Sequence, residues 1–468
     1  MSDYNFIFQR IHPQLKRQRE IWKHCAAAYS GGRSYIDSAL VKHVSEISLE
    51  FEERKQRAYY FNYPRKIARF ISQFVLSEAP QRCDADAALV EDFSRTGLRT
   101  SEVIRQVSTL INTFGLAWII VDMPPVGSEL DLDSKRRQRI RPYAAALKPW
   151  YVVDWAYGVD GRLDWAIVEE HSEDKSNPFG ETRIIHSRRL WTRNDWKQFI
   201  RDPDSGQVKQ VSQAAHRLGQ VPLIKCEEAD GFGLNASHWF EDAVRISDAI
   251  MNAESEAQMN IIKQMFGLLV VSESFRNSDF DSSDSGNREK FSHVLARSAA
   301  LWESPEEKGI TRYISPGGAE TQTIRSEIHH LKQELFDVVG LSIQGEISRQ
   351  QTAESKAWDH HNVTQFLLSR VDMLEQAELK AWELMHAWDH SISIPSVSYN
   401  REFSVVDMES SIQALINLNQ LDIGAEFKRE TLRAGLKMLE KIKKIPPAAR
   451  EKIESEINAY GLSDNTGA

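Results

Sequence analysis

Glu383, His386 and His390 stand at steps of three and four residues, a spacing that lines three metal-ligating side chains along one face of a helix. A zinc-type centre there needs a further ligand and partners that orient the rings. A solvated helix end accounts for the same spacing, because imidazolium suits the C-terminal helix dipole. His329-His330 and His360-His361 are sequence neighbours, so their rings leave a helix on different faces and do not converge on one ion. Glu173-Asp174-Lys175 has the acid-x-Lys form of a nuclease element, a triplet that charged loops also produce by chance. A phosphate-wrapping GxxxxGK[ST] loop is absent, since the chain contains no Gly-Lys pair. The stretch from Gly340 to Gly345 lacks the spacing of a GxSxG elbow, which leaves Ser342 as a loop residue. The expectation is a protein that is not an enzyme, with no catalytic residues, no metal and no cofactor.

Composition narrows the class further. The 468 residues suffice for two or three packed regions, and 41% hydrophobic with 27% charged residues is the balance of a globular protein. Cys25, Cys83 and Cys226 are far apart and form no CxxC pair, which fits a reduced compartment. The apolar runs at 116–121 and 266–271 fall well short of the roughly 20 residues needed to span a bilayer, and residues 1–14 lack a signal-peptide pattern. No membrane and a cytoplasmic setting are expected. A net charge of −9 is unlike a protein that grips phosphates, which is usually basic. Local exceptions are residues 1–77, the run SKRRQRIR at 134–141, and residues 426–452, the last two read first as solvated faces. Trp150, Trp155, Trp165, Trp191 and Trp196 could stack on single-stranded bases, but they fall within or beside strands and are read as core.

The elements alternate in character. Apolar spacing predicts helices over 14–29, 50–78 and 101–114, the second with a kink near Tyr63 because Pro64 follows. Residues 116–121 read as a buried strand. Short strands at 151–155, 165–168, 182–185, 189–192 and 196–200, separated by turn formers, read as an antiparallel meander. A long rod-like helix follows at 239–265, then a strand at 266–271, a polar mixed block, and a helix at 323–339. A loop at 341–351 leads into a helix over 352–390 without Gly or Pro, capped by Thr352. Helices broken at 423–424 and 446–447 close the chain.

This order, an α/β body, a long helix, a small insert, a second helix, a loop, a very long helix and a helical end, resembles the portal proteins of tailed bacteriophages. Local words add to it: the aromatic-Asn stretch from Arg57 to Ile71, the stretch from Leu234 to Val244, and Gln350-Gln351-Thr352-Ala353-Glu354-Ser355. The order covers nearly the whole chain and the words about a tenth of it. The resemblance implies an α+β, helix-rich subunit with a wing at 1–234, a stem helix at 235–266, a clip at 267–320, a second stem helix at 321–340, a tunnel loop at 341–353, a long wing helix at 354–400 and a crown at 401–468. It implies a structural head-tail connector at the capsid vertex, a homo-oligomeric ring of twelve copies through which double-stranded DNA is packaged and ejected. Its implied partners are the terminase motor, capsid or scaffold proteins and head-tail adaptors. Its implied places are the host cytoplasm during assembly and then the virion. Ile343, Gln344, Ser348, Arg349, Gln350 and Gln351 would line the channel as the tunnel loop, and Asp248 and Glu254 as stem acids. A scaffold or adaptor that binds proteins without touching DNA is the competing expectation.

Polar uncharged groups and one arginine per subunit would contact phosphates weakly enough to let DNA move. Replacing residues 344–349 by two glycines is therefore expected to leave rings intact and to abolish DNA packaging. Electron microscopy of the rings and a packaging assay on procapsids carrying them check this; normal filling rejects the loop assignment.

Overall fold

The computed structural model describes residues 4–124, 140–174, 183–202, 205–228, 238–265, 268–272, 300–303, 312–314, 318–338, 353–401, 403, 425–442 and 447–459. The chain is a mixed α/β protein rich in helix, and it divides into two units, Met1–Arg401 and Glu402–Ala468.

The first unit opens with five helices, α1 (Asn5–Gln9), α2 (Pro13–Ser30), α3 (Arg33–Ala39), α4 (Ser48–Arg57) and α5 (Tyr63–Val75). The helix expected over 50–78 is thus two helices. Pro64, in the first turn of α5, disfavours helical backbone just before it, so the chain runs through 58–62 in another conformation. Asn62 makes use of that break. Its amide nitrogen donates to the carbonyls of Ala28 (2.8 Å) and Tyr29 (2.9 Å) at the end of α2. Its carbonyl oxygen accepts from the Arg65 N–H (3.0 Å) and caps α5. Gly31, at φ +65°, lies so close that an added Cβ would stand 2.9 Å from the Asn62 nitrogen.

After β1 (Gln81–Cys83) and α6 (Ala87–Glu91), α7 (Thr100–Phe114) ends at Gly115 and turns directly into β2 (Leu116–Asp122), every residue of which is buried. Burial on both faces explains why β2 reads as a continuous apolar run rather than an alternating one. It is the centre of a three-stranded antiparallel sheet between β3 (Tyr143–Leu147) and a later strand. The meander β4 (Val152–Tyr157), β5 (Leu163–Asp174), β6 (Arg183–Thr192), β7 (Asp195–Arg201) and β8 (Val208–Ala215) forms a second, five-stranded sheet in chain order. The strands expected separately at 182–185 and 189–192 are one continuous strand, and β8 was not anticipated. β9 (Leu223–Glu227) then returns to complete the sheet around β2.

Next come α8 (Trp239–Met265), a small sheet of β10 (Leu268–Ser272), β11 (Ala300–Glu303) and β12 (Arg312–Ile314), and α9 (Gly318–Asp337). The 36-residue α10 (Ala353–Trp388) packs against β2, β9, α5 and α7 through Leu367, Val371, Leu374, Ala381 and Met385. β13 (Ser396–Ser398) pairs antiparallel with β1, which lies some 300 residues earlier. The core joins α2, β2, the first half of the meander and the start of α8, around Trp22, Trp118, Trp155, Trp191 and Phe240. In the second unit, α11 (Ala425–Ile442) packs on α12 (Pro447–Ala459), where Arg433 donates to the Asn458 side-chain Oδ1 at 2.6 Å.

A charged knot ties α10 to the β1–β13 pair. Glu378 is 0% exposed; its carboxylate accepts from Arg82 Nε (2.5 Å) and Nη2 (3.1 Å), Trp382 Nε1 (3.2 Å) and the Tyr399 hydroxyl (2.5 Å). Removing one partner of a buried pair strands the other charge. Arg82→Met is expected to destabilise the protein by about 3–5 kcal/mol in urea unfolding, and Arg82→Met with Glu378→Leu by less. Equal loss in the single and double variants would show that the charge pairing does not set the cost.

Candidate functional site

α8 leaves the core and pairs with α9. Its unbroken length follows from its sequence, 27 residues without Gly or Pro and with acids in the first turn. Phe240, Ala243, Val244, Ser247, Ile250, Met251 and Ser255 form its buried stripe. On α9 the buried residues Thr321, Ile328 and Leu335 recur every seven positions, with Ile324 and Leu331 half-buried between them, the seam of a coiled-coil-like contact. Gln264 Nε2 donates to Thr321 Oγ1 (2.7 Å), and Lys332 Nζ meets Glu254 Oε1 (3.2 Å). These two bonds lie about three turns apart on each helix and in opposite chain order, so the pair is antiparallel. The small β10–β12 sheet belongs to the connection at its end.

Three polar residues of α8 fix how it meets the body. Asp248 accepts a hydrogen bond from the Tyr35 hydroxyl, and its other oxygen lies 2.8 Å from His24 Nε2. Burial and the Asp248 carboxylate push the Tyr35 hydroxyl far up, so it remains a donor. One turn on, Asn252 donates to the Ala39 carbonyl (3.3 Å) and accepts from the Val41 N–H (2.8 Å). Ser255 accepts from Arg54 Nη1 (2.8 Å). Arg54, only 3% exposed, also holds both oxygens of Glu46 at 2.8 Å and the Val41 carbonyl at 2.6 Å. Positions 248, 252 and 255 thus share one helical face and read α3, α4 and the segment between them.

The beginning of α8 has its own anchor. His238 Nδ1 accepts from the Phe240 N–H (3.3 Å), which leaves the ring proton on Nε2, 3.1 Å from Glu228. Glu228 also meets Arg370 Nη2 at 2.6 Å. Burial pushes the Glu228 carboxyl up, but His238 and Arg370 more than offset this and hold it at about 2. Burial lowers both His238 and Arg370 against the opposing pull of Glu228.

Asp248 and Glu254 are therefore brought to the stalk, but both carboxylates are engaged within the chain, with His24 and Tyr35 and with Lys332. Ile343, Gln344, Ser348, Arg349, Gln350 and Gln351 lie outside the described residues. His386 Nδ1 donates to the Ile392 carbonyl (2.6 Å) and packs edge-on to His390; with Glu383 the two form no three-donor cluster. Trp155 and Trp191 are core residues, Trp155 packed against Trp118. Of the basic run at 134–141, the described Arg141 pairs with Asp92 at 2.5 Å. Arg429 and Arg450 make local pairs along their own helices. The Arg54 network was not foreseen; the available cue was an arginine on a helix otherwise rich in exposed charge, which does not reveal burial. No protein-family model matches the chain, and no curated protein matches it.

The hydrogen bond to Asp248 raises the His24 ring above its ordinary 6.5, against an opposing effect of burial. A group whose folded pKa is raised contributes stability that is fully present below the unfolded value and is lost as pH rises through the folded one. The stability difference between the wild type and His24→Gln should therefore shrink from below pH 6.5 upward, and urea titrations at several pH values measure it. A difference that stays constant across that range would mean the pair is not ionised.

Proposed function

We propose that the protein is a portal subunit, a ring-forming structural protein through which double-stranded DNA passes, with the α8–α9 pair as its stem, the β10–β12 sheet as its clip and residues 341–353 as its tunnel loop. The observation that carries this reading is the antiparallel helix pair with a small sheet in the connection between its two helices, followed by a single long helix returning across the α/β core. A stalk of this kind buries one seam and leaves the remaining faces of each helix for neighbouring copies and for a bore. Head-to-tail contacts between identical subunits form a ring when the rotation between copies closes on itself, and an open filament when it does not. Twelve copies is the number the portal resemblance implies. The engagement of Asp248 and Glu254 moves the proposed channel acids to α9. There Glu320, Glu327 and Glu334 are exposed and recur every seven residues, one line along the helix beside its buried seam. Carboxylates facing DNA repel phosphates and prevent the ion pairing that would arrest a moving duplex.

Two measurements test the proposal. Light scattering and negative-stain microscopy of the purified protein should show a ring with a central bore; a stable 53.6 kDa monomer at micromolar concentration would overturn the assembly and favour an adaptor that binds proteins only. Replacing Glu320, Glu327 and Glu334 together by lysine should leave rings intact and slow packaging at least several-fold. An unchanged packaging rate would show that this line is turned away from DNA.

A further inference from the structure

We propose that Glu169, His171 and His186, on one face of β5 and β6, form a binding site for a divalent transition metal of the zinc type. His171 and His186 are directly opposite each other in the antiparallel register. Their rings meet edge to face at 4.7 Å between centroids and 89° between planes. Glu169 lies two residues before His171 and so shares its face of the strand. Its Oε1 is 3.4 Å from His171 Nε2, and one donor atom from each of the three residues lies within 4.8 Å of the others. Zinc bonds of about 2.0–2.1 Å in tetrahedral geometry require donors roughly 3.3 Å apart, so one contact already has that length and small side-chain rotations supply the rest.

The surroundings favour such a role over a chance meeting of polar groups. Arg188 holds the other oxygen of Glu169, Oε2, through Nε (3.1 Å) and Nη2 (2.8 Å), which leaves Oε1 turned toward the imidazoles. Arg188 is itself buried and fixed by the carbonyls of Ile7 (2.7 Å) and Arg10 (3.0 Å), so it acts as the outer partner that orients a ligating carboxylate. Tyr151 packs edge-on against His171 at 5.9 Å and restrains that ring. Both histidines are exposed, so a metal can reach them and complete its shell with water. Two imidazole nitrogens and one carboxylate select zinc, nickel or copper over magnesium or calcium, which demand oxygen donors. A bound ion would clip β5 to β6, three register pairs from the Asp174–Arg183 end of their ladder.

Isothermal titration of the full chain with zinc chloride should reveal one saturable site per chain, and magnesium chloride should give none. His171→Ala and His186→Ala should each weaken zinc binding at least tenfold, and Glu169→Gln by about tenfold. His330→Ala, an exposed histidine elsewhere, should change nothing. Circular dichroism of the metal-free variants checks that they fold, as substitutions at exposed positions should allow. Cobalt(II) added to the wild type should develop the visible absorption of a tetrahedral centre, a readout that needs no variant. Zinc binding equal in the wild type and in the His171→Ala, His186→Ala double variant, or no saturable binding by the wild type, would overturn the site.

Discussion

The direction in which α8 leaves the body depends on one buried guanidinium. Arg54 is almost wholly removed from water and must find a partner for each of its nitrogens, because an unpaired buried charge costs several kcal/mol. It finds Glu46, the Val41 carbonyl and Ser255, and the last of these is on α8. An apolar seam alone tolerates rotation of a helix or a slip by one turn, since one aliphatic contact replaces another at small cost. Hydrogen bonds at 248, 252 and 255 do not tolerate it: a slip of one turn would carry all three away from Tyr35, the Val41 backbone and Arg54 at once. Whether the network adds net stability matters less than that it admits a single register.

The same division of labour recurs at the other end of the first unit. β2 is buried on every residue and runs through the apolar core with Trp118 at its centre, yet a sheet face does not dictate where a 36-residue helix crosses it. Glu378 does. It ties α10 to Arg82 and Tyr399, and Trp388 Nε1 donates to the Val121 carbonyl at 3.0 Å where the helix ends. Area burial supplies most of the free energy, and a few charged or polar bonds choose among the packings that the area would permit.

This division also explains what could be read from the sequence. The bounds of α8 follow from a run without Gly or Pro, and those of α7 and β2 from apolar spacing that changes period at Gly115; each signal is local. The break between α4 and α5 was half legible, since Pro64 announces a disturbance but not whether the helix bends or stops. Pairings between distant segments left no local trace. β1 meets β13, and Arg54 meets Ser255, across two to three hundred residues, and neither short segment carries a pattern that names its partner. Asp248 and Glu254 read as channel-facing stem acids because charge is visible in a sequence and engagement is not. His171 and His186 were passed over for a related reason. They sit one on each strand, and cross-strand neighbours become visible only once the register is known.

Engagement is also what separates the two groups of acids on the stalk. On α8, Asp248 and Glu254 are half-buried and their charges are met within the chain, so they act at contact range and add little field at a distance. On α9, Glu320, Glu327 and Glu334 stand exposed, with His330 Nε2 3.8 Å from Glu334 as a weak counter-partner that is charged only when protonated. Successive members of that line are about 10 Å apart along the helix, close to a Debye length at physiological salt. One subunit therefore carries a row of nearly independent charges rather than a strong potential. Only repetition of the row around a closed assembly would bring like charges within screening distance and build a continuous negative wall. The electrostatic property proposed for the stalk would thus be one of a ring and not of the single chain, so a net charge of −9 on one copy says little about how DNA would meet such an assembly.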